Sequence, residues 1–321
     1  MRRQCLLVVL AAAALAPWAR AQPSSRVARI GVITWMPQPQ AFQAAFRQRL
    51  RELGWEEGRN LQIEWRAADA QAARVDALAA ELVNLRVEVI VAEFTPAALA
   101  ARRATNAIPI VMAPAGDPVS TGLVASLARP GGNVTGLSNV AAELSGKRLE
   151  ILQQTVLDLS RVGLLVFGRD PLDKSFIDAT RSAAAAAGLR LYLAEVPTAL
   201  DIDAAFLALR SAAVGAVIVP GNLPVAPSRT AELALRHRLP SIGVVSSYPA
   251  QGGLMAYAPN LTDLRRRSAD YVDRLLRGAK PLDLPVEQPT RFELVINAGT
   301  AKALGLAIPQ AVLLRADEVI E

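Results

Sequence analysis

From residue 29 onward, short apolar runs recur with helical segments between them. Arg29–Thr34, Leu61–Trp65, Val87–Val91 and Ile108–Met112 form one series; Val162–Phe167, Leu189–Val196, Gly215–Val219 and Pro240–Val245 form a second. Their starts lie roughly 20–30 residues apart, the period of strand–helix–strand units. Most of these runs are nearly continuous in apolar residues, which predicts strands covered on both faces and therefore parallel sheet. Leu61–Trp65 alternates instead and reads as an edge strand. The intervening stretches carry helical spacing, with Ala45, Leu50 and Leu53 in one and Val75, Leu78, Leu82 and Leu85 in the next. Two series of four such units predict two α/β lobes.

The break between the series falls at Ala128–Asn133, where Pro130-Gly131-Gly132-Asn133 is a strong turn signal. Val134–Ser138 then reads as an isolated strand, and a helix with Leu144, Leu149 and Leu152 on its apolar face leads into the second series. After Val245 the pattern changes: Leu254–Tyr257 is a short strand and Leu261–Leu276 an amphipathic helix. Pro281–Pro289 is a linker, and Phe292–Ile296 a last strand. A chain that returns to the first lobe after completing the second crosses between lobes several times.

The amino terminus has its own pattern. Arg2 and Arg3 precede an unbroken apolar run, Cys5–Leu15, of 11 residues, and Ala19-Arg20-Ala21 is a small-x-small site. That layout predicts a secretory signal peptide over residues 1–21, cleaved after Ala21, too short to remain as a membrane anchor. Cys5 precedes the apolar run, whereas a lipoprotein cysteine would follow it, so the expected product is a soluble periplasmic protein. Cleavage would discard three arginines, leaving 32 basic against 29 acidic residues, a net charge of +3, and would remove the single cysteine.

Composition narrows the chemistry. The chain has 321 residues, 52% hydrophobic and 20% charged, which describes a core-forming protein. One Cys and one His leave no basis for a disulfide framework, a Cys or His metal site, or a His-centred catalytic set. No carboxylate pair stands out for acid/base work, so the expectation is a non-enzyme without cofactor or metal. His237 falls at a helix C-terminus, where a cation suits the helix dipole. Arg265–Arg267 reads as a solvated helix face, with no basic-aromatic interleaving of the kind that binds nucleic acid. Gly131–Gly136 lacks both the Lys-Ser/Thr of a phosphate loop and the spacing of a dinucleotide fold.

Ligands of parallel α/β sheets bind beyond the carboxyl ends of the strands. Thr95-Pro96 predicts a helix start there, with Thr95 as cap and Pro96 in the first turn. Asp117-Pro118 repeats the device. Thr95 is thus placed to meet a carboxylate and Asp117 an ammonium, while simple helix capping explains each residue equally well. Aromatic residues are 5% of the chain, and Trp35, Phe94, Tyr248 and Tyr257 all fall at strand ends, where a solute could be sandwiched or where they pack the core. Arg169 and Asp170, Asn222, and Ser246 with Ser247 are the polar strand-end residues of the second series.

Several segments in order carry a family resemblance. Ala113–Asn139 (APAGDPVSTGLVASLARPGGNVTGLSN), Gly252–Asn260 (GGLMAYAPN), Lys280–Leu306 (KPLDLPVEQPTRFELVINAGTAKALGL) and Arg47–Gly58 (RQRLRELGWEEG) resemble the ABC transporter substrate-binding proteins of the tryptophan/tyrosine-binding-like family. The resemblance spans essentially the whole mature chain. It implies a type I periplasmic binding fold: two Rossmann-like α/β lobes, three hinge segments and a ligand cleft between the lobes. It maps the hinge to Val134–Asn139, Leu254–Pro259 and Pro289–Val295, giving lobes of residues 22–137 plus 258–290 and 138–257 plus 291–321. It places Trp35, Thr95 and Asp117 on the first lobe's cleft edge, with Asp170, Asn222 and Ser246–Tyr248 opposite; Phe94, Asn139 and Tyr257 complete the candidate ligand set. Before Thr-Pro the family commonly carries Gly-Gly or similar; Glu93-Phe94 stands here and would narrow or recharge the pocket. The implied role is a monomeric solute receptor of an ABC importer, capturing an amino acid or small carboxylate and docking on an inner-membrane permease. A periplasmic sensor subunit for a signalling partner is the alternative the same fold allows.

Overall fold

The computed structural model describes residues 26–35, 37, 40–168 and 171–321. The signal segment and Asp170 lie outside the described residues. Two sheets organise the chain. The first is built from β1 (Ala28–Thr34), β2 (Leu61–Ala67), β3 (Val89–Ala92), β4 (Ile110–Ala115) and β5 (Val134–Ser138), with α1 (Gln40–Glu52), α2 (Ala72–Asn84) and α3 (Phe94–Ala104) between them. Its strands lie in the order β2-β1-β3-β4-β5, all parallel. Strands β3, β4 and β5 are buried throughout, while β2 alternates at the edge. The difference follows from the number of faces each strand hides. β5 is no isolated strand: it closes the sheet beside β4, and the Pro-rich segment after it in space is pinned to it. Ser138 N donates to Glu287 O at 2.9 Å and Glu287 N to Gly136 O at 3.0 Å.

The second sheet follows through α4 (Ser145–Thr155), β6 (Arg161–Val166), α5 (Pro171–Ala186), β7 (Arg190–Glu195), α6 (Ile202–Ser211), β8 (Ala216–Val219), α7 (Pro227–Arg236), β9 (Ser241–Gly243) and β10 (Met255–Pro259). After β10, α8 (Leu261–Leu276) packs on α1 and over β3 and β4 of the first sheet. The chain then returns as β11 (Phe292–Asn297), α9 (Ala298–Leu304), α10 (Gln310–Leu313) and β12 (Glu318–Ile320). The order is β12-β11-β10-β9-β8-β6-β7, parallel except where β10 meets β11. Both lobes seat a helix flat on the sheet through glycine. A Cβ on Gly31 of β1 would lie 2.5 Å from Leu82 of α2, and one on Gly163 of β6 would lie 2.5 Å from Leu209 of α6. Only the residue without a side chain permits that approach.

One apolar core fills both faces of the first sheet and continues into one face of the second; a separate core fills the other face. The continuity runs through Trp35 and Phe167, whose rings lie 5.9 Å apart.

Candidate functional site

The carboxyl ends of both sheets face one another across a cleft. Between them lies a cavity of about 30 Å³ lined by Phe94 after the first sheet's β3, by Asn139 and Ala141 of the segment crossing between the sheets, and by Asp173, Phe176, Pro220, Gly221, Asn222, Val244 and Val245 of the second lobe. At roughly 10–15 Å³ per water that is room for two or three water molecules. The cleft is shut. Trp35 Nε1 donates to Asn222 O at 3.2 Å, and the Ser175 hydroxyl of α5 donates to the Asp117 carboxylate. Both contacts join the first sheet's loops to the second lobe.

The loop at Glu93–Thr95 decides the shape of one wall. Phe94 has φ of +64°, a conformation that costs a residue with a Cβ about 1–2 kcal/mol. Its neighbours hold it there. Glu93 N donates to Ile33 O at 2.9 Å, and the buried Glu93 carboxylate pairs with Arg265 of α8, whose guanidinium sits 5.4 Å from the centre of the Phe42 ring. Burial pushes the Glu93 carboxyl up, and the charge and hydrogen bond of Arg265 oppose it. On the other side the Thr95 hydroxyl accepts from Gly116 N at 3.1 Å and donates to Gly116 O at 3.3 Å. The helix therefore starts at Phe94 with Glu93 in the capping position and no side-chain cap, and the Thr95 hydroxyl ties two loops together. Arg265–Arg267 is correspondingly not a purely solvated face: Arg265 is largely buried against Glu93, Arg266 pairs with Glu52 at the surface, and Arg267 pairs with Glu287. Glu93 adds no charge to the cavity because it pairs behind it, whereas Phe94 narrows it.

The segment after β4 forms turns, not a helix, because Gly122 and the Pro130-Gly131-Gly132 turn leave too few residues for one. Asp117 caps the turn, accepting from Ser120 N at 3.2 Å. Burial raises its carboxyl, but hydrogen bonds from Ser120 and Ser175 outweigh this and hold it below the ordinary aspartate range. Asn139 accepts from Ala141 N at 3.1 Å, and Asn222 Nδ2 donates to Asp173 at 3.3 Å. Trp35, Phe94, Thr95, Asp117, Asn139 and Asn222 thus gather around the cleft.

Tyr248 and Tyr257 turn elsewhere. Tyr248 is buried with its hydroxyl donating to Ser241 Oγ at 3.0 Å, and burial raises its phenol. Its ring fills the place where a Cβ on Gly253 would stand, 2.1 Å away. Tyr257 leans on Phe292 at 6.2 Å. Ser246 is half-buried in the loop beside Val245. His237 ends α7 and stacks on Phe206 at 5.7 Å.

Asp173 and Phe176 escape the sequence pattern. An acidic residue in the first turn of α5 reads as capping, and here Asp173 does accept from Gly168 N while also lining the cavity. The three-residue spacing of Asp173 and Phe176 on one helix face is the signal that joins them. Behind the cavity, Arg148 of α4 is fully buried. Its Nε donates to Tyr257 O at 2.9 Å and its Nη1 to Ala141 O at 2.6 Å, while Nη2 is buried without a partner. Burial draws its pKa down to about 9. Arg148 ties β10 to the segment that follows β5, two of the passages between the sheets. Among the described residues no cluster of His, Cys, Asp or Glu is arranged to hold a metal ion, and no helix is long and apolar enough to cross a membrane.

Comparison with known proteins agrees with this geometry. The chain is 25% identical over 287 residues to the tyrosine-binding protein of Clostridioides difficile strain R20291, covering 88% of this chain and 82% of the relative. The ABC domain in complex with L-Trp from Streptococcus pneumonia superimposes with a TM-score of 0.84 at 27% identity, over 91% of this chain and 99% of that one. A ligand-free, open substrate-binding protein with adhesive properties from Clostridium difficile gives 0.66 at 25% identity, over 92% and 99%. The higher score belongs to the ligand-bound protein, as expected for a shut cleft. The architecture is that of type I periplasmic binding proteins, and the matching substrate-binding family is not an enzyme family. The sequence model of the family described as "ABC transporter substrate binding protein" matches residues 29–320, and with two facing α/β lobes around a small cavity the chain belongs to that family.

Proposed function

We propose that this protein captures a free amino acid outside the cytoplasm and delivers it to an ABC permease in the inner membrane. The lobes comprise residues 22–137 plus 258–290 and 138–257 plus 291–321, and the segments joining them act as the hinge. The observation that carries the reading is the cavity lining: Asp173 stands beside the amides of Asn139 and Asn222 in a wall whose remaining side chains are the apolar Phe94, Ala141, Phe176, Pro220, Val244 and Val245. A carboxylate facing a largely apolar pocket suits a ligand with an ammonium group and a hydrocarbon side chain. Asn139 and Asn222 supply amides for the ligand's own carboxylate. The names of the relatives, a tyrosine-binding protein and an L-Trp complex, support an amino acid.

Capture works by shifting populations. The open form admits the solute, and the shut form surrounds it with groups from both lobes, so the ligand favours the form that binds it better. Export rests on the amino-terminal pattern, with cleavage after Ala21 releasing the receptor into the periplasm as a monomer.

The test is a thermal-shift and calorimetry screen of the mature protein against the L-amino acids, each paired with its deaminated analogue. A ligand at a hundredfold excess over its Kd adds about 2.7 kcal/mol of stability, which raises Tm measurably. Asp173→Asn should weaken an amino acid by roughly 10-fold or more and its deaminated analogue much less. A screen in which no amino acid shifts Tm overturns the proposal.

A further inference from the structure

We propose that Phe94 is the specificity-determining residue of the cleft, a plug that confines the receptor to solutes with short hydrocarbon side chains and excludes bicyclic rings. The inference rests on the amino-acid reading above and narrows its substrate class.

Three observations carry it. Phe94 occupies a left-handed conformation, with φ of +64°, in which glycine would be free of strain and a side chain is not. Such strain persists only where the surroundings over-determine it, and it concentrates at ligand clamps. Here the bracing is explicit: Glu93 is anchored to Arg265 and to Ile33 O, and the Thr95 hydroxyl is bonded to both backbone groups of Gly116. The loop is held from both sides while the residue between the two anchors lines the cavity. Phe94 itself is only 8% exposed, so its bulk lies inside the molecule.

The second observation is size. The shut cavity measures about 30 Å³, about a fifth of the ~150 Å³ apolar cavity that accommodates benzene, so any amino acid must widen it, and a short side chain widens it least. An indole needs more again. The third is the lack of a cheap way to enlarge it. Moving the lobes apart breaks the Trp35–Asn222 bond and the Ser175–Asp117 bond, a loss that grows with the width of the solute. Removing the Phe94 ring enlarges the cavity and leaves those contacts in place.

The experiment compares wild type, Phe94→Gly and Phe94→Ala by calorimetry with L-valine, L-tryptophan and indole as probes. Glycine removes both ring and strain; alanine removes the ring and keeps a Cβ in the left-handed conformation, so the pair separates cavity size from backbone relief. Wild type should bind L-valine at least 10-fold more tightly than L-tryptophan and should not bind indole. Both variants should gain at least 10-fold for L-tryptophan and should bind indole. Wild type binding indole as tightly as the variants, or variants that bind no indole, overturns the role of Phe94. Indole gated by Phe94 without binding of either amino acid would support the plug and count against the amino-acid reading alone, so the two failures are distinguishable.

Discussion

Replacing Arg265 by methionine removes the charge that neutralises the cleft wall from behind. The Glu93 side chain is fully buried and that of Arg265 is 13% exposed. Taking away the cation leaves a carboxyl with neither water nor counter-charge, and breaking a buried pair from one side costs about 3–5 kcal/mol. Methionine keeps an apolar stem beside Phe42 and forfeits a cation–π contact worth about 0.5–2 kcal/mol, so most of the loss arises at Glu93. The pH dependence has a definite sign. Burial already pushes the Glu93 carboxyl up against the opposition of Arg265, and without Arg265 it climbs further. A carboxyl whose folded pKa is raised takes up a proton on folding; its favourable contribution is present below the unfolded value of about 4.3 and is lost as pH rises through the folded value. The deficit of Arg265→Met against wild type should therefore be smallest near about pH 5 and grow toward about pH 8. Urea denaturation of wild type, Arg265→Met, Glu93→Gln and the double variant measures it. The double variant should recover roughly 2–3 kcal/mol relative to Arg265→Met, since an amide opposite methionine buries no charge. A loss below about 1 kcal/mol, a loss independent of pH, or a cycle additive to within about 0.5 kcal/mol would refute the reasoning.

Two further changes probe the interlobe contacts. Trp35→Phe keeps a ring near Phe167 and loses the N–H bond to Asn222 O; at about 1 kcal/mol this moves the shut-to-open ratio roughly fivefold. Solution scattering should show a larger mean radius, and unchanged scattering would deny the contact a part in closure. Arg148→Met strands the carbonyls of Tyr257 and Ala141. Each unmade bond costs about 1–3 kcal/mol, partly offset by removing a buried cation, for a net loss of about 2–4 kcal/mol in urea. Arg148→Lys should restore part of it, and a loss under about 1 kcal/mol would mean those carbonyls find other partners.

Much of the fold was legible because its signals are local. A parallel strand covered on both faces must be apolar along its length, so Val89–Ala92, Val162–Val166 and Ala216–Val219 announce themselves. The amphipathic helix near Leu261–Leu276 is legible because its apolar positions repeat with the helical period. The strand β12 and the short helices near the carboxyl terminus carry too few residues to set up a period, and they went unread. The site was legible only in outline. Strand ends located Phe94 and Asn222 near the cavity and the resemblance's hinge segment brought in Asn139, whereas Asp173 and Phe176 looked like ordinary residues of a helix's first turns.

Sequence alone determined the repeating α/β units, the order of the longer strands and helices, and the family, because each rests on residues close together in the chain. Tertiary structure decided what the side chains do. Glu93 and Arg265 are 172 residues apart, as are no local motif's members, and only the docking of α8 on the first sheet makes them a pair. The same holds for Trp35 and Asn222, 187 residues apart, which meet only when the lobes close. Periodicity reports which face of an element is buried; it does not report which group it will be buried against, and in this protein that second fact governs the charge and size of the cleft.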